Sequence, residues 1–183
     1  MQPLDQNQLT ERKVMVDLSA NLEIHLFGEP SFLINGHPLA EATSQKVDAL
    51  FAYLVCHPYP HLREVLASLL FNAQSRNQAN NNLRVLLSRL RRVCEDTILI
   101  NRQTVRLNPA YEVWLDTAVF QESLPHQPER ALKLYRGDFL ATVQVQEAKG
   151  FVEWAAIARE QHRLMALKTL INLTTMYETS GQI

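Results

Sequence analysis

Glycine is scarce in this chain, with five residues in 183, beside eight prolines and two cysteines. So little glycine and proline excludes collagen-like and low-complexity classes. The two cysteines, Cys56 and Cys94, stand in apolar helical surroundings and do not make a disulfide framework. They read as buried thiols of a reducing cytoplasm. Long hydrophobic runs are missing as well. The longest apolar stretch, Val47 to Cys56, is broken by Asp48 and falls well below the roughly 20 residues of a spanning helix. The first twenty residues lack the basic start and apolar run of a secretory signal, so no membrane partner is expected. Neither sign of charge is in excess, since 18 Lys plus Arg face 19 Asp plus Glu for a net −1. What is present is a chain that is 46 % hydrophobic, which excludes disorder. Its length suffices for one large domain or two small ones.

The hydrophobic period changes along the chain. Residues 1–20 form a polar lead-in. Leu22, Ile24 and Leu26 then alternate with Glu23 and His25, the pattern of a half-buried strand. Phe32 to Ile34 resume it, and Asn35-Gly36 favours a tight turn, so a small antiparallel sheet is expected. From Ser44 the period becomes helical. Val47, Leu50, Phe51, Leu54 and Val55 mark a first helix stopped by Pro58 and Pro60. Leu62, Val65, Leu66, Leu69 and Leu70 mark a second. Ser75 with Gln78 is a capping signature for a third, running to about Cys94. Ile98 to Ile100, a polar tip at Asn101 to Gln103, then Val105 and Leu107 predict a hairpin. Beyond Pro109 the pattern is helical only: Asp116 as an N-cap, Pro128 at a helix first turn, and one long run from Ala148 to about Thr179.

The near-zero total conceals a local excess. Residues 76–106 hold seven arginines (Arg76, Arg84, Arg89, Arg91, Arg92, Arg102 and Arg106) against Glu95 and Asp96. The stretches on either side are acidic. All seven cations fall on the third helix and the hairpin after it, and the arginine fork suits phosphate and guanine edges. Strand, strand, helix, helix, basic helix, hairpin is the order of a winged helix-turn-helix, whose third helix enters the major groove. At 100° per residue, Leu87, Leu90 and Cys94 fall within about 40° of Leu83. Asn77, Asn81, Arg84, Ser88 and Arg91 lie on one flank, and Arg89 and Arg92 toward the other side. Asn80, Asn81 and Asn82 are poor helix formers in a helix interior. Their amides suit adenine edges or phosphates.

Two longer stretches carry a resemblance. "QANNNLRVLLSRLRRV" (Gln78 to Val93) with "ILINRQTVRLNP" (Ile98 to Pro109) resembles the OmpR/PhoB-type winged helix of the SARP transcriptional activators. "VWLDTAVFQ", "ALKLYRGDFLA" and "FVEWAAIAREQHRLMAL" are similar to the bacterial transcriptional activator domain that follows it in that family. The resemblance implies an α+β chain in three parts. These are a lead-in (1–20), a winged-helix DNA-binding domain (21–109), and the truncated start of an all-α, tetratricopeptide-like domain (110–183). It implies binding to double-stranded DNA at promoter repeats, self-association on direct repeats, and contact with RNA polymerase through its sigma factor. Arg89 matches the helix arginine that approaches bases. Arg84, Ser88, Arg91 and Arg92 match positions facing groove or backbone, and Arg102, Thr104 and Arg106 fall in the wing. Leu86 stands where related regulators carry a polar residue.

Other chemistry finds little support. Cys56, His57 and His61 are near one another, but Pro58 and Pro60 preclude helical ligand spacing. Asp116 and Glu122 read as a cap and a solvated carboxylate rather than an acid–base pair. Phe151 and Trp154 read as helix-packing core. No phosphate-binding G-x-x-x-x-G-K-[ST] loop and no nucleophile elbow occurs, so neither an enzyme nor a cofactor is expected. Two function classes stay open: a sequence-specific DNA-binding activator, and a helical interaction scaffold whose winged helix serves protein contacts.

Overall fold

A computed structural model describes residues 20–39, 44–72 and 75–180. The lead-in 1–20 lies outside them, apart from its last residue. Strand β1 (Ala20–His25) buries Leu22 and Ile24 while Asn21 and Glu23 face outward, as its alternation requires. It pairs antiparallel with β2 (Ser31–Ile34), and β2 with the short β3 (His37–Pro38) across the Asn35-Gly36 turn. Both turn residues have positive φ, 52° and 78°, which the Asn-Gly pair accommodates.

Three helices follow: α1 (Gln45–Cys56), α2 (Arg63–Leu70) and α3 (Arg76–Cys94). Between α1 and α2 a two-residue strand β4 (His61–Leu62) pairs with the hairpin β5 (Ile98–Ile100) and β6 (Thr104–Leu107), giving a three-stranded wing. Leu62 therefore precedes α2 rather than belonging to it. Leu62 and Val65 are both exposed, although the sequence pattern assigned them to an apolar face. Leu50, Leu54, Leu66, Leu70, Leu83, Leu87, Leu90 and Val105 pack into one core under β1.

Besides the two-residue β4, the sequence pattern missed a second strand. Beyond Pro109 the chain is not helical only: β7 (Tyr111–Leu115) pairs in parallel with β1, from Ala20↔Tyr111 to Ile24↔Leu115. The N-terminal sheet thus has the order β3-β2-β1-β7. Asp116 is likewise not an N-cap. It is the first residue of α4 (Asp116–Ser123), capped by Leu115, and its side chain is buried. The Leu26 and Phe27 amides donate to its carboxylate at 2.8 and 3.0 Å, satisfying the end of β1.

Helix α5 (Pro128–Leu134) begins with proline at its first turn as expected, and α6 (Lys149–Ser180) is one 32-residue helix. The helices do not stand apart from the winged helix. Phe139, Leu140, Val145, Ala148, Phe151 and Ala155 belong to the same core as Leu22 and Leu83. At Gly137 an added Cβ would sit 3.2 Å from the Gly28 Cα, so a side chain here would press the 136–141 segment away from the end of β1. A second cluster joins Phe27, Phe120, Ala131 and Ala166 around the buried His162. Phe139 and His162 stack at 5.4 Å. Among the described residues no helix is long and apolar enough to cross a membrane.

Candidate nucleic-acid interface

Helix α3 starts where the sequence places it, because the Gln78 amide donates to the Ser75 Oγ at 3.2 Å. It buries Ala79, Leu83, Leu86, Leu87, Leu90 and Cys94. Leu86 is thus part of the core stripe, which accounts for an apolar residue at this position. Asn81, Arg84, Ser88, Arg89, Arg91 and Arg92 are exposed, and Asn80 is half-buried.

Five of these residues divide among three depressions. Asn80, Asn81 and Arg84 face Arg102 and Gln103 of the wing and Leu62, Arg63 and Glu64 at the start of α2, around a groove of about 750 Å³. Arg91 shares a second groove, of about 560 Å³, with Thr104 and Arg106. Arg89 stands on the other flank of α3, with Asn82 and Val85, facing Gln45, Lys46 and Phe71. Lys46 Nζ lies 4.6 Å from the centre of the Phe71 ring. The structure therefore brings Arg84 and Arg102 together, and Arg91 with Thr104 and Arg106, but sets Arg89 apart from both groups. Ser88 and Arg92 line none of the three.

The wing tip is held for presentation. Asn101 Oδ1 accepts from the Gln103 and Thr104 amides at 2.9 and 2.7 Å, closing the turn beneath exposed Arg102. The Arg63 amide donates to the Gln103 carbonyl at 2.9 Å, and its guanidinium to the Asn101 carbonyl at 3.5 Å. Arg63 and Lys46 are the cations that sequence reasoning missed. Each stands alone in a stretch with an acidic balance, so no local charge count reveals them. Only the fold carries them to the α3 surface.

Electrostatically, the notable feature is what the arginines lack. Among the described residues Arg84, Arg89, Arg91, Arg92, Arg102 and Arg106 have neither an ion pair nor a side-chain hydrogen bond. Arg76 is the exception in this stretch, 3.6 Å from Glu64. A row of solvated guanidinium groups around a helix and a wing is a surface of positive potential with its donors unspent.

The residues considered for metal binding serve other ends. The His57 and His61 rings bond the Tyr53 and His57 carbonyls at 2.9 and 2.8 Å and stack with Tyr53 and Tyr59. Among the described residues no three His, Cys, Asp or Glu side chains converge on a metal position. Both thiols are free; Cys94 is buried and Cys56 partly so. Burial pushes each up to about 12, leaving them protonated and unreactive at neutral pH.

An α+β chain with three helices, a wing and a following helical region is a winged helix-turn-helix protein with a helical extension. The Mycobacterium tuberculosis protein EmbR, solved in complex with a low-affinity phosphopeptide, has a similar structure. The TM-score is 0.55 at 18 % identity over 82 % of this chain, which shows a shared fold. The chain spans 45 % of the EmbR chain. No family model matches the sequence, and no curated protein matches it.

Proposed function

We propose that this chain is a sequence-specific, double-stranded-DNA-binding transcriptional regulator, an activator that contacts RNA polymerase through its sigma factor. It works in the cytoplasm, without catalysis or cofactor. The observation that carries this reading is the row of arginines on α3 and the wing, from Arg84 to Arg106, that have no ion pair among the described residues. The likeness to EmbR supports a regulator of the SARP kind. On this reading α3 enters the major groove. Arg89 reads base edges, and Asn80 and Asn81 contact adenine edges or phosphates. Arg84, Ser88, Arg91 and Arg92 face groove or backbone, and Arg102, Thr104 and Arg106 hold the backbone beside the wing. Copies bind side by side on direct repeats. The DNA-binding part is 21–109, and the part that follows, 110–183, opens with β7 on the N-terminal sheet and continues as helices.

Protein docking by the helical part accompanies this reading, on one specific observation. Ile157, Leu164, Leu167, Leu170, Ile171 and Met176 of α6 are all more than half exposed, an apolar display that suits a protein partner.

Selection of bound duplexes from a random pool, followed by titration of the winner at two salt concentrations, tests the proposal. A consensus sequence and a steep loss of affinity with salt are expected, since bound phosphates release counterions. Recovery of no consensus, with affinity indifferent to salt, would reject DNA recognition and leave the scaffold reading.

A further inference from the structure

Asn72 lies two residues beyond the end of α2, and its hydrogen-bond partners come from far along the sequence. The Asn72 amide donates to the Glu147 carbonyl at 2.8 Å. In return the Lys149 amide, 77 residues from Asn72, donates to the Asn72 Oδ1 at 3.1 Å. Slightly earlier, the Gln144 amide donates to the Gln45 Oε1 at 2.7 Å, at the first residue of α1. The segment leading into α6, with its first residue, thus bonds to the first residue of α1 and to Asn72 just beyond α2.

Its own backbone is held in an unfavourable form. Glu147, whose carbonyl receives the Asn72 amide, has φ +55°, and Leu140 has φ +50°. Side chains other than glycine rarely adopt this region, and surrounding contacts must enforce it. Those contacts are present, since Val145, Ala148 and Phe151 are buried in the core that also holds Leu83 and Leu87. In the first turn of α6, a Cβ at Gly150 would stand 3.2 Å from the Leu69 Cα. Helix α6 therefore closes on the last turn of α2 at a distance that only glycine permits without a shift.

We infer that residues 144–150 form a latch on Asn72 and the end of α2, with Asn72 as its positioning residue. The latch fixes α2, and with it the angle of α3 packed against α2, and so governs sequence selectivity, while the phosphate-facing arginines supply affinity for any duplex. Selectivity here rests on the DNA-binding reading above; the latch itself does not. Movement of the first turn of α6 is then transmitted to α3.

Asn72→Ala and Asn72→Asp in the full chain test this, because aspartate keeps the acceptor oxygen for Lys149. The first measurement needs no DNA. Amide exchange at Leu83 and Leu87 should accelerate about tenfold in Asn72→Ala, the loss expected for one hydrogen bond, and not in Asn72→Asp. The second is the ratio of affinities for the selected duplex and a scrambled one. It should fall about tenfold in Asn72→Ala and recover in Asn72→Asp, with the salt dependence unchanged. A general loss of stability would instead weaken both duplexes together. Gly150→Ala, which presses α6 away from Leu69, should lower the ratio in the same way and replaces Asn72→Ala if that variant does not fold. An unchanged exchange rate, or an unchanged ratio, overturns the latch. If the parent chain binds no duplex, the DNA-binding reading fails by itself and the exchange rates still decide the latch.

Discussion

Among the described residues the six arginines from Arg84 to Arg106 have no ion pair or side-chain hydrogen bond, whereas Arg136, Arg159 and Arg163 in the helical region are all engaged. Arg159 donates to the Phe139 carbonyl at 3.0 Å and the Leu140 carbonyl at 3.4 Å. Arg163 meets Asp138 at 2.5 Å and holds that carboxyl below its usual range. Arg136 reaches His25 Nδ1 at 2.7 Å and comes within 4.0 Å of buried Asp116. One residue type thus does two things in one chain. Where acceptors lie within the fold it ties segments together, and where none do it keeps its hydrogen-bonding capacity for another molecule.

The largest effect that could break this contrast comes from the unpaired set. Replacing Arg84, Arg91 and Arg102 together by alanine should reduce duplex affinity at least a hundredfold and lower the salt slope by about 3, if each meets a phosphate. Unfolding should change little, since exposed sites shift stability by about ±0.5 kcal/mol each. A matching fall in the unfolding midpoint would show that these arginines are structural after all.

Arg159→Ala should behave in the opposite way. It withdraws the donor from two carbonyls in a half-buried place, at a cost of about 1–3 kcal/mol measurable by urea unfolding. Affinity for DNA, per folded molecule, should stay the same. Arg163 is half-exposed, so water screens its pair and the same substitution there should move the unfolding midpoint less.

The smallest effect concerns His162, beside these arginines on α6. Its Nδ1–H donates to the Ala158 carbonyl at 2.7 Å, and its Nε2 lies 3.1 Å from Gln121 Nε2 as an acceptor, which fixes the neutral form. Burial lowers its folded pKa below 6.5. Between that lowered value and 6.5 the unfolded chain binds the extra proton, so stability falls as pH drops through this window. Unfolding at pH 7.5 and 5.5 should show a smaller pH-dependent loss in His162→Gln than in the parent chain. Equal losses would mean that other groups account for the dependence.

Much of the fold was legible in the sequence because its signals are local. The β1 alternation, the Asn-Gly turn, the α3 stripe from Leu83 to Cys94 and the Pro128 start each depend on neighbours within a few residues. Strand β7 was not legible, since five residues of alternation are a weak pattern and its partner lies some 90 residues away. The true role of Asp116 depends equally on Leu26 and Phe27, which no local pattern connects to it. At the candidate interface the charge count found α3 and the wing. It could not divide their arginines among three depressions, nor place Arg63 and Lys46 beside them, because those are consequences of packing.

The β1–β7 pairing also sets a schedule. A ribosome adding roughly 5–20 residues per second needs about 5–18 s to travel from Ala20 to Tyr111. During that interval the nascent chain carries β1 with one edge unpaired, between the apolar residues Leu22 and Ile24, and such an edge invites association with another strand. Maturation of the first strand thus waits on a segment made long after it, and the emergence of Tyr111–Leu115 ends the exposure.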